Sequence, residues 1–60
     1  MELRLDDEQA EELRELLATA ISDLGPEITH TDNAHYRAAL TQRRTVLRAI
    51  EAQLDAVRST

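Results

Sequence analysis

Glu27-Ile28-Thr29-His30 is the segment closest to a metal-binding pattern. A Glu-x-x-His step sets both side chains on one helical face, and projected inward from two helices of a bundle such pairs help hold two iron or manganese ions. A symmetric dimer would supply the pair twice. The remaining carboxylates are missing, because the residues expected opposite Glu27 are Tyr36 and Arg37, and Glu51 and Asp55 fall near the far end. Pro26 and a helix end at His30 weaken the motif further. His30 and His35, with Asp32 between them, carry zinc-type donors, but they flank a turn and no cysteine completes a tetrahedral set. They read as solvated side chains. Thr19, Ser22, Thr29 and Thr41 are joined to no histidine and acid in a recognisable nucleophile pattern, and no glycine-rich loop is present to cradle phosphate. A hairpin also offers little of the concavity that small-molecule chemistry needs. The expectation is no catalysis, no cofactor and no bound metal.

Arg43 raises a different question. It stands in an apolar stripe, Tyr36, Leu40, Arg43, Leu47, Ile50, Leu54 and Val57, whose steps alternate between four and three. A guanidinium inside such a seam must find a carboxylate or backbone carbonyls, or snorkel its head to the edge. Asp23 is the best-placed partner and Glu27 the second. The expected outcome is a snorkelled or locally paired arginine; the alternative is a charge that recognises a partner and specifies register or oligomeric state. Tyr36 reads as the cap of the core near the turn, with its hydroxyl at the rim.

Composition narrows the partners. The chain has 60 residues and no cysteine, so one small domain is the most it can form and no disulfide or thiolate cluster can brace it. Oligomerisation is the remaining route to a stable core. The net charge of −5 opposes binding to a phosphate backbone, and a single aromatic residue gives no stacking platform for single strands. No apolar run reaches the roughly 20 residues that span a bilayer, and Met1-Glu2-Leu3-Arg4-Leu5 lacks the regions of a signal peptide. A cytoplasmic protein without nucleic-acid or membrane partners is expected. All seven basic residues are arginine and alanine is abundant, as in chains from GC-rich bacterial genomes.

The elements that position these residues are two helices. Asp6 stands three residues before Gln9, a capping-box spacing for a helix that starts near Asp7, with Leu5 and Ala10 as its staple. Ala10, Leu13, Leu17, Ala20, Leu24 and Ile28 then keep helical spacing, with acidic residues beside them. Gly25-Pro26 is the strongest break signal, since an interior proline removes one backbone hydrogen bond and crowds a carbonyl. Leu24 to Ile28 nevertheless keeps the apolar phase, so the spacing predicts a helix over about 7–30 with a kink or restart at 25–26. A turn at 31–32 follows, and a second helix over about 33–58, all in one domain of residues 1–60.

Helices of about 36 and 39 Å can fold back on one another. Pairing positions whose numbers sum to 64 sets Leu24 by Leu40, Leu17 by Leu47 and Ile21 by Arg43. The same register brings Glu27 to Arg37, Glu15 near Arg48 and Arg14 near Glu51. Apolar flanks remain beyond this seam, Leu16 and Ile21 on the first helix and Ala39, Val46 and Ala49 on the second, and a second flank needs a second partner. The expected fold is therefore all-α, an antiparallel two-helix hairpin that dimerises into a four-helix bundle. Its interface residues are Leu13, Leu16, Leu17, Ile21, Leu24, Ile28, Tyr36, Leu40, Arg43, Val46, Leu47, Ile50 and Leu54.

Leu3 and Leu5, the acidic first helix, Ser22-Asp23-Leu24, Thr31-Asp32, Tyr36-Arg37 and Arg43 together resemble a group of short bacterial helical-hairpin proteins of unknown function. The resemblance covers nearly the whole chain and implies a hairpin, with no activity attached. Gly25-Pro26 departs from that group, whose first helix is uninterrupted. A weaker likeness, to a two-helix protein of the large ribosomal subunit, is opposed by the acidic balance, since that family is basic and binds RNA. The functional expectation is a homo-oligomeric interaction or scaffold module. The alternative is a hetero-binding adaptor or antitoxin-like protein that completes its core with an unidentified protein partner.

Overall fold

Two helices pack against each other as a hairpin in the computed structural model, which describes the backbone of residues 1–58 and side chains as far as Ala56. Helix α1 spans Asp7–His30 and helix α2 spans Ala34–Arg58. The place of Val57 in the second stripe lies outside the described side chains.

Local chemistry sets the ends. At the start of α1 the Asp6 carboxylate accepts from the Gln9 backbone N–H at 2.7 Å, and the Gln9 side chain accepts from the Asp6 N–H at 3.1 Å. Two otherwise orphaned donors are satisfied reciprocally. Asp7 and Glu8 in the first turn complement the positive end of the helix dipole. At the other end Thr31 leaves helical geometry with ψ 135° while its N–H still reaches the Glu27 carbonyl at 3.2 Å. Asn33 then caps α2: its side-chain oxygen accepts from the Tyr36 N–H at 3.0 Å and its carbonyl from the Arg37 N–H at 2.9 Å. Three residues, 31–33, make the whole connection.

Pro26 lies inside α1, and the helix continues through it without interruption. Pro26 has no N–H to give the Ser22 carbonyl, and both residues are exposed, which lets water stand in for the missing donor. The threonine hydroxyls of Thr29, Thr41 and Thr45 each return to the carbonyl four residues earlier.

The core is thin. Among the described residues Leu17, Leu24 and Leu40 are the buried side chains, and no polar or charged side chain is buried. The molecule measures 41 × 21 × 16 Å with a radius of gyration of 13.6 Å, against about 10 Å for a compact chain of this length. Its accessible surface is 4978 Å², about 1,000 Å² above that of a compact monomer of the same mass.

The seam between the helices departs from the expected one on α2. Around Leu40 the half-buried positions are Arg44, Leu47, Glu51 and Leu54, whereas Tyr36, Arg43 and Ile50 are exposed. Arg43 is therefore not a core charge. The apolar stripe was two adjacent lines read as one: Leu40, Leu47 and Leu54 can be completed on one side by Tyr36, Arg43 and Ile50, or on the other by Arg44 and Glu51. The second option is the one turned inward, with Arg44 and Glu51 half-buried beside the leucines.

Candidate interaction surface

The hairpin has two unlike sides. One is polar and organised by two arginines. Arg14, on α1, donates through Nε to Asp55 Oδ1 on α2 at 2.7 Å. That hydrogen bond, then the charge of Asp55 and those of Glu11 and Glu51, hold the Arg14 guanidinium above the usual arginine range. Arg37, in the first turn of α2, donates through Nε to the Ile28 carbonyl at 3.2 Å and through Nη2 to the Thr31 carbonyl. It thereby closes the C-terminal end of α1 with a cation, where carbonyls lack amide partners and the dipole favours positive charge.

Both contacts correct the expected pairings. Arg37 binds backbone carbonyls instead of Glu27. Arg14 takes Asp55, one turn beyond Glu51, with Glu51 contributing attraction at longer range. No ion pair joins Glu15 to Arg48 among the described residues.

The opposite side is apolar. At 3.6 residues per turn, Tyr36, Ala39, Arg43, Val46 and Ile50 fall within roughly 80° of one another on α2, on the flank away from Arg37 and Asp55. On α1, Leu16 lies on the flank away from Arg14 by the same arithmetic. Because Arg14 and Asp55 meet on one side of the hairpin, these two flanks share the other. Exposure marks them as a set: Leu16 is 60% exposed, Tyr36 51%, Val46 48% and Ile50 38%. The half-buried Ala20 and the exposed Ala39 lie between them, and Asp23 and Glu27 form an acidic border on α1.

Of the residues expected at an interface, Leu17, Leu24 and Leu40 are buried between the helices. Leu13, Ile21, Ile28, Leu47 and Leu54 are half-buried there. Leu16, Tyr36, Arg43, Val46 and Ile50 are the ones left to solvent. Arg43 has no ion pair with Asp23, Glu27 or any other described residue. Sequence reasoning missed Arg37 as a cap and Arg44 as part of the seam. The short turn and the position of Arg37 one turn into α2 were the available signal for the first.

Among the described residues no three His, Asp or Glu side chains are placed to hold a metal ion, and Glu27, His30, Asp32 and His35 are all exposed. No helix among the described residues is long and apolar enough to cross a membrane. What fold and surface define is a two-helix all-α hairpin with one polar and one apolar side. No protein-family model, curated protein or solved structure matches the chain.

Proposed function

We propose that this chain is a non-catalytic interaction module of the bacterial cytoplasm that completes its core by self-association, two hairpins forming a four-helix bundle. The observation that carries the reading is the row of Leu16, Tyr36, Val46 and Ile50, four large apolar side chains exposed on one side of a hairpin that buries three leucines among its described residues. A second apolar flank at heptad spacing, beside the one already used, is the pattern by which bundle helices contact two neighbours. Sedimentation equilibrium, together with circular dichroism over the same concentrations, tests it. A helical dimer at micromolar concentration is expected. A folded monomer there would sink the self-association reading, and a weakly helical monomer that orders only on mixing with another protein would move the assignment to a hetero-binding adaptor.

A further inference from the structure

Resting on that self-association reading, we infer that the occupant of the apolar side is a second copy packed turn to turn, with Arg43 of each copy paired to Asp23 of the other. The exposed row of Leu16, Tyr36, Val46 and Ile50 gives such an occupant an apolar face to cover.

Charge selects the arrangement. Two hairpins facing each other through their apolar sides can be related by a two-fold axis parallel to the helices or by one across them. The axis across the helices stacks α1 on α1 and α2 on α2. Helix α1 carries seven carboxylates and one arginine, and its border on this side includes Glu12, Asp23 and Glu27, so that stacking opposes like charges. The axis parallel to the helices sets α1 of one copy over α2 of the other, whose charged residue on this side is Arg43. Attraction then acts across both contacts of every helix.

Levels along the helices agree with this choice. In a hairpin joined by residues 31–33, Leu16 lies level with the stretch of α2 between Val46 and Ile50, and Asp23 lies within about one turn of Arg43. A two-fold axis along the helices preserves level. It sets Leu16 on Val46 and Ile50 of the second copy, Ala20 near its Val46, and Asp23 near its Arg43. Arg43 is exposed and lacks an ion pair within the described hairpin, so its guanidinium is available for that contact. Small Ala20 and Ala39 allow the helices to approach at the centre. Arg43, an irregularity in an apolar line, becomes the element that tells one orientation from the other, as isolated polar residues do in other bundles.

Two measurements test the inference. The chain has no cysteine, so Asp32→Cys, at the exposed turn, accepts a single nitroxide label. Electron–electron distance measurement on the labelled dimer should give on the order of 20 Å, the breadth of two packed helices. A dimer with labels near the 41 Å length of the molecule would overturn the turn-to-turn arrangement while leaving self-association intact. A monomer would remove both together.

The second measurement is a charge swap. R43D and D23R alone should each weaken self-association by at least about tenfold, and an equimolar mixture should recover a heterodimer, since each mixed contact again joins Arg to Asp. Recovery only when both changes sit in one chain would mean pairing inside the hairpin and would overturn the proposal. R43Q, with helicity followed by circular dichroism, separates loss of pairing from loss of folding: a helical variant with weakened association supports the contact, and unchanged association overturns it.

Discussion

Arg14 Nε and Asp55 Oδ1 stand 2.7 Å apart although 41 residues separate them in the chain, and this contact ties the free ends of the two helices together. At the other end Arg37 reaches the carbonyls of Ile28 and Thr31. Both lie on the same side of the hairpin. Together they roll α2 so that Arg44 and Glu51 turn toward α1, and the line of Tyr36, Arg43 and Ile50 turns outward. The apolar side is thus a consequence of where the polar side is fastened.

Arg14→Gln should lower the thermal midpoint in dilute buffer and open the ends of the hairpin first. Because the folded-state pKa of Arg14 is raised by Asp55, raising the pH from neutral removes its contribution only in strong base. Salt is therefore the useful lever. Raising salt to about 1 M should shrink the difference between wild type and variant, since the pair is partly exposed. A difference in midpoint unaffected by salt would show that packing of the arginine stem matters more than its charge.

Arg37→Ala should remove about 1 kcal/mol by exposing the end of α1 to fraying. Amide hydrogen exchange reads the effect locally: protection should fall from Ile28 through Thr31 and stay nearly unchanged near Leu13 and Leu17. Uniform loss of protection along both helices would contradict a capping role.

Pro26→Ala should stabilise the protein by about 1–3 kcal/mol in urea denaturation at fixed protein concentration, because it restores the amide donor to the exposed Ser22 carbonyl. Gly25 has nothing within 4 Å of an added Cβ. Gly25→Ala should then add about 0.5–1 kcal/mol in the Pro26→Ala background. Its gain should be smaller beside the native proline, which disfavours helical geometry in the residue before it. Equal gains in both backgrounds would count against this coupling.

Side chains of the buried seam and of the exposed apolar side should respond differently. Leu24→Ala, in the buried seam, should cost about 2–4 kcal/mol and lower helicity at all concentrations. Leu16→Ala and Val46→Ser change exposed side chains, so they should leave the helices formed at high concentration and steepen the dependence of helicity on dilution. Sedimentation and circular dichroism on one dilution series distinguish the two behaviours.

Much of the hairpin could be read without coordinates because its signals are local. Asp6 and Gln9 announce a capping box within four residues. Leu24 and Ile28 hold one helical face across Pro26, and Thr31, Asp32 and Asn33 offer the short polar groups that end one helix and start another. Each depends on neighbours a turn away at most, and helical periodicity carries the information along the chain. Leu17, Leu24 and Leu40 could be placed in the core on that basis.

Which edge of the α2 stripe faces α1 was a different kind of question. Tyr36, Arg43 and Ile50 are as well spaced for the seam as Arg44 and Glu51, and more apolar on the whole, so a reading by hydrophobic spacing admits Arg43 to the core. The tertiary structure decided otherwise because rotating α2 by a fraction of a turn lets Arg14 meet Asp55 and Arg37 close α1, while Leu40, Leu47 and Leu54 keep contact with α1 in either rotation. Helix identity and helix ends were legible in the chain alone, since they rest on contacts within one turn, and the two-helix packing followed from matching apolar stripes. The rotation of α2, the partners of Arg14 and Arg37, and the exposure of Arg43 rest on contacts between helices, and only their spatial arrangement supplies those.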